Sequence, residues 1–242
     1  MISEKESSNK EALSNYLDQI SLDCSKPVVL LDADRTLCRE DTGKNAFRKL
    51  NLDLVQIKNG FKEHGYKYQG FKTMSDILSS SDKDQYLSYC KQVAFEVELY
   101  SGVVSFLVSS SKIFNIIIVT AGCGPIWENI MLKNNLSIKV ISGGHSKCDN
   151  FLIGRGEKGF IAKYFKKTTK KTIISIGDSD VDTLMLKASD KKGIVVNHRK
   201  NKDLLSNFYK HQIDFQMSFN EYNHSEIPQI TFNELEKTIT GE

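Results

Sequence analysis

The sequence has no apolar run near the roughly 20 residues that a membrane-spanning helix needs, and its start, MISEKESSNK, lacks the apolar centre of a signal peptide. These absences give the expectation of a cytoplasmic chain with no membrane partner. The five cysteines, Cys24, Cys38, Cys90, Cys123 and Cys148, are odd in number, scattered and never spaced as CxxC, which argues against a disulfide framework or a thiolate zinc site. Reduced thiols are expected. Proline is scarce, at 3 residues in 242, and no segment is of low complexity, so collagenous and disordered classes are excluded. Charge of one sign is lacking too: 33 Lys and Arg face 30 Asp and Glu, a net charge of +3. The densest basic run, KYFKKTTKK at Lys163 to Lys171, falls where a helical pattern ends before an apolar run. It reads as lysines complementing a helix C-terminus and not as a nucleic-acid patch. The histidines, His64, His145, His198, His211 and His224, form no ligand-spaced pair, and none is assigned a role.

What is present is an ordinary globular composition, 40% hydrophobic and 26% charged, in a length that suits one main domain carrying a smaller insertion. Short apolar runs recur: PVVLLDAD, IFNIIIVTA, SIKVISG, KTIISIGD, KGIVVNH and, near the end, PQITF. They are continuous and rich in β-branched residues, the mark of strands covered on both faces, so the fold class is α/β with a parallel sheet. Between the later runs, PIWENIMLKNN, EKGFIAKYFKK and DVDTLMLKAS have helical spacing and suit crossovers.

One gap breaks the scheme, because about 60 residues from Thr42 to Tyr100 exceed what a single crossover helix needs. GKNAFRKLNLDLV, MSDILSS and KDQYLSYCKQVAFEVELY carry helical periodicity, with Gly60, Gly65 and Gly70 read as turns between them. Residues 42–100 are therefore expected to form an inserted helical subdomain that roofs the carboxyl ends of the strands, where ligands bind in open α/β sheets. Residues 27–41 and 101–242 would form the core domain, and 1–26 an N-terminal extension with one weak helix at Glu11 to Ile20. The stretch from Arg199 to Ile227 is polar and contains no interpretable motif.

Polar residues fall at the ends of the strand-like runs: Asp32 and Asp34, then Thr120, then Asp178 and Asp182, with Lys158 opening a helix. Two aspartates one residue apart after a buried strand repel each other unless a cation intervenes or one is protonated. DADRTL, IIIVT, EKG and IGDSDVD, which contain these residues, are similar, in order, to the four motifs of the haloacid dehalogenase superfamily, over about Pro27 to Asn197.

That resemblance implies a Rossmann-like parallel sheet flanked by helices with a C1-type cap, inserted between the first and second motifs as in the phosphoserine phosphatase branch. It implies Asp32 as a nucleophile forming an aspartyl phosphate and Asp34 as general acid and base. It implies Mg2+ held by Asp32, the backbone carbonyl of Asp34 and Asp178, with Asp182 close by through water or Lys158. Thr120, Lys158 and the amides of Ala121 and Gly122 would bind phosphate oxygens. Alone, Thr120 would read as a helix cap and Lys158 as a solvated charge.

Asp41 matches a position that contacts the substrate amine in that branch, or it caps the helix that follows it. Departures from the pattern are Arg35, where relatives usually have a small residue, and Val181, where an asparagine is expected; both put phosphoserine itself in doubt. Lys44 and Arg48 read as surface helix charges. The activity implied is Mg2+-dependent hydrolysis of a small phosphomonoester, with a small phosphorylated metabolite as partner. The alternatives are transfer of the phosphoryl group to an alcohol, and a catalytically silent binding protein on the same fold.

Overall fold

A computed structural model describes residues 4–196, 201–209, 212–219 and 223–240. Six strands make one parallel sheet among these residues: β1 (Val28–Leu31), β2 (Asn115–Val119), β3 (Lys139–Ile141), β4 (Ile173–Gly177), β5 (Lys191–Val195) and β6 (Phe215–Met217). Their order is β3-β2-β1-β4-β5-β6. The chain winds outward from β1 to β3 and then in the other direction from β4 to β6, which places the topological switch point between β1 and β4. In β1, Val29 and Leu31 join one apolar cluster and Val28 and Leu30 another, all fully buried. Burial on both faces is why the run is continuously apolar.

The helices in chain order are α1 (Glu4–Asp18), α2 (Thr42–Lys49), α3 (Leu54–His64), α4 (Tyr68–Leu78), α5 (Lys83–Glu96), α6 (Val103–Ser110), α7 (Gly124–Lys133), α8 (Arg155–Thr169), α9 (Thr183–Ala188), α10 (Asn201–Leu205) and α11 (Phe232–Thr240). None among the described residues is long and apolar enough to cross a membrane. The helix expected at Glu11 to Ile20 begins earlier, at Glu4, and ends at Asp18. It buries Leu13 and Leu17 against Val28, Leu30, Ile161 and Phe165, and Asn9 bonds both backbone groups of Leu152, at 2.7 and 3.1 Å.

Four helices, α2 to α5, occupy the gap after β1, where three segments were expected. Gly65 ends α3 with a φ of 62°, but Gly60 and Gly70 are not turns. They lie within α3 and α4, where a Cβ would meet the Thr73 side chain at 2.8 Å and the Gly65 carbonyl at 2.3 Å. Close approach of the two helices, not a change of direction, requires glycine there. The chain leaves and re-enters the core side by side: Cys38 and Leu99 form an antiparallel bridge, and the Tyr100 amide donates to Leu37 at 2.9 Å.

The C-terminal region differs from expectation. The sixth strand is Phe215–Met217, inside the stretch read as uninterpretable, while PQITF contributes only a bridge from Gln229 to Gln216 before α11 begins. That stretch also contains α10. Residues 199–200, 210–211 and 220–222 of it lie outside the described residues, His198 and His211 with them or beside them. All five cysteines are free thiols, and α8 ends in lysines, Lys166 and Lys167, before Lys170 turns the chain at a φ of 55°.

Candidate active site

Parallel pairing of β1 and β4 sets Leu31 beside Ile176, and the Asp32 amide continues the ladder to the Ile176 carbonyl at 2.9 Å. The next residues along each strand therefore emerge together at the carboxyl edge. Asp32, Asp178 and Asp182 each present a carboxylate oxygen within 4.8 Å of the others, all buried. Gly177 is needed for this approach, since a Cβ there would lie 2.5 Å from the Asp182 Cγ.

Lys158, 1% exposed on the first turn of α8, donates from Nζ to Asp32 Oδ1 and, at 2.7 Å, to Asp182 Oδ1. Asp182 is also tied to its own loop: Oδ2 accepts from the amides of Asp178 (3.2 Å) and Ser179 (3.1 Å) and from the Ser179 hydroxyl (3.3 Å). Thr36, buried one turn after Asp32, donates to Asp32 Oδ2 at 3.0 Å. Burial and the Asp182 charge push the Asp32 carboxyl up to about 6 against the pull of Lys158. Burial also pushes Asp178 well above the carboxylate range, only partly opposed by Arg35. Lys158 stays charged, because Asp182 and Asp32 outweigh its own burial.

Asp34 points the other way. Its Oδ1 accepts from the Thr42 hydroxyl (2.6 Å) and the Trp127 indole (3.0 Å), and its Oδ2 lies 3.5 Å from the Gly43 amide. Burial and the Asp41 charge raise its pKa, which favours a carboxyl that can carry a proton. Its side chain is outside the three-aspartate group. The Thr120 hydroxyl accepts from the Gly122 amide at 3.0 Å, and a Cβ on Gly122 would come within 3.2 Å of Asp34 Oδ2. The Thr120–Ala121–Gly122 turn thus abuts the second aspartate.

Asp41 caps α2, accepting from the Lys44 amide at 3.1 Å, so the cap geometry is present. Its Oδ2 takes the Arg35 Nη1 at 2.7 Å, and Arg35 Nε reaches Asp178 Oδ2 at 3.2 Å. Arg35 has a φ of 64°, a left-handed conformation that costs a non-glycine residue about 1 kcal/mol. Val181 packs against the larger apolar cluster, and Lys44 and Arg48 are exposed. Sequence reasoning assigned no role to Thr36, Thr42 or Trp127. Trp127 could have drawn notice as the single tryptophan, within a helical run opening just after the second motif.

The α2 to α5 insert packs against the segment between β3 and α8. Phe71 of α4 lies against Gly154, the N-cap of α8; the Ser79 hydroxyl accepts from the Ser146 amide at 2.8 Å; and Tyr86 of α5 stacks on the buried His145, centroids 4.5 Å apart.

Among the described residues the buried Asp178 Oδ1 has no hydrogen-bond partner, and the three clustered carboxylates offer only hard oxygen donors. These features fit a divalent cation of the Mg2+ kind.

No protein-family model matches the sequence, and a comparison with curated proteins finds no match. Solved structures do match. A phosphoserine phosphatase with a phospho-aspartyl intermediate analogue is similar over 79% of this chain and 92% of its own, at 17% identity and a TM-score of 0.55. A haloacid dehalogenase family hydrolase from Salmonella enterica serovar Typhi covers 75% of this chain and 70% of its own, at 15% and 0.58. A substrate-bound phosphoserine phosphatase covers 74% and 90%, at 16% and 0.54. The chain has the fold of haloacid dehalogenase-like hydrolases.

Proposed function

We propose that the protein is a Mg2+-dependent phosphatase that hydrolyses a small phosphomonoester through an aspartyl phosphate on Asp32. The observation that carries this reading is the buried group of Asp32, Asp178 and Asp182 around Lys158, with Asp178 Oδ1 left without a partner among the described residues.

Asp32, Asp178 and the Asp34 carbonyl would hold the ion, with Asp182 beside them. When bound, it supplies charge that offsets repulsion between the phosphate and the attacking carboxylate. Asp32 is held by Thr36 and Lys158, so one oxygen can be aimed at phosphorus while Lys158 and the Thr120 to Gly122 turn receive the non-bridging oxygens. A bond forms from the Asp32 oxygen to phosphorus as the bond to the leaving oxygen breaks, and Asp34 gives that oxygen its proton. Water then attacks the aspartyl phosphate, Asp34 takes back a proton, and Asp32 and inorganic phosphate are regenerated. Asp41 belongs with the α2 cap and Arg35 in this reading, not with substrate.

The burial of the three aspartates and the contact of the insert's Thr42 with Asp34 support a small phosphorylated metabolite as partner and argue against nucleic acid or membrane. The test is hydrolysis of p-nitrophenyl phosphate by the purified protein. Turnover that requires Mg2+ and disappears in Asp32→Asn supports the reading; no turnover with any divalent ion, from a folded protein, refutes it.

A further inference from the structure

The phosphoryl chemistry above has no use for Arg35, yet the chain keeps an arginine there in a backbone conformation that disfavours it. Its guanidinium is 24% exposed and bridges two carboxylates, the fully buried Asp178 at the strand edge and the half-exposed Asp41 at the start of α2. Its Nη2 makes no hydrogen bond among the described residues. The three clustered aspartates are thus already matched with internal cations: Asp32 and Asp182 share Lys158, and Asp178 takes Arg35. Asp178 divides its oxygens, Oδ2 on the guanidinium and Oδ1 on no group among the described residues.

We propose that Arg35 is a built-in counter-cation of this site, competing with the divalent ion for Asp178 and thereby weakening its binding. The inference rests on the metal reading above. A dication arriving at Asp178 meets a fixed positive charge on the same carboxylate, and in a water-poor site that repulsion is poorly screened. Asp41 gives the displaced guanidinium a place to remain, since its bond to Nη1 is the shorter of the two. The same pairing stabilises the metal-free protein, where the buried carboxylates would otherwise face one another with Lys158 alone.

The experiment is calorimetric titration of Mn2+, then Mg2+, into chelator-treated full-length protein, with melting temperatures recorded with and without metal. Arg35→Gln should bind the ion about tenfold more tightly than the wild type, melt lower without metal, and gain more from its addition. Arg35→Lys, which keeps the charge, should stay within about threefold of the wild type. Arg35→Gly, which relieves the backbone, should tighten binding as Arg35→Gln does, and it serves if the glutamine variant fails to fold. Unchanged or weaker affinity in both neutral variants overturns the inference, making Arg35 a support for Asp178 and not a competitor. Equal tightening in Arg35→Lys also overturns it, because charge would not be the cause. If the wild type and every variant show neither heat nor a metal-dependent melting shift, the metal reading itself falls, a result distinct from the others.

Discussion

The loops after β4 and β1 deliver carboxylates to the same crevice but hold them by opposite means. Asp182 Oδ2 is secured from within its own loop, by two amides and a hydroxyl lying three or four residues away, and only its Oδ1 reaches outside, to Lys158. Asp34 is secured from outside, by Thr42 at the first turn of the insert and by Trp127 of α7, 93 residues along the chain. The difference teaches that the Asp182 half of the crevice is held largely by its own loop. The Asp34 half gains its donors only when α2 and α7 have packed.

Several substitutions would break or sharpen that contrast. The largest effect belongs to the local half: Asp178→Asn should lower turnover of any phosphomonoester by about 10^3-fold or more, measured with saturating Mg2+. Asp34→Asn should cost about 10^2 to 10^3-fold with an alkyl phosphate, whose leaving oxygen needs a proton. With p-nitrophenyl phosphate the loss should be smaller, and equal losses on both substrates would remove Asp34 from the acid role.

Smaller effects test the packed half. Thr42→Val and Trp127→Phe each remove a donor that favours the charged form of Asp34. Its pKa should rise, so the limb of the kcat profile that follows Asp34 protonation moves to higher pH, with turnover down about tenfold. Ser179→Ala removes only the longest of the Asp182 bonds and should leave that limb in place.

A last prediction concerns stability without metal. Because burial raises Asp32 in the folded protein to about 6 from 3.8, the folded state binds its proton more tightly than the unfolded chain does. Ionised Asp32 therefore costs the native state about 3 kcal/mol at neutral pH, a cost that fades as pH falls through 6 and is gone below 4. Asp32→Asn, although inactive, should be the more stable protein in urea at neutral pH, with the gap closing toward pH 4.

Much of this was legible in the chain. The runs ending at Leu31, Val119 and Gly177 sit at the centre of the sheet, buried on both faces, and their apolar composition follows from that position. The edge strand Phe215–Met217 escaped notice because three residues flanked by polar chain need only one ladder, to β5, and carry no long apolar run. Gly60 and Gly70 misled because a glycine that admits a neighbouring helix looks the same in sequence as one that makes a turn. Asp32, Asp178 and Lys158 could be read from strand ends and motif spacing. Thr42 and Trp127 could not, since nothing local links them to Asp34; only the packing of α2 and α7 does.

The most direct test of the account is mass spectrometry of protein acid-quenched during turnover of a phosphomonoester. A phosphoryl group should appear on the peptide containing Asp32, only when Mg2+ is present, and should be absent from Asp32→Asn. Steady turnover with that peptide unmodified, or with the label on another residue, would contradict it.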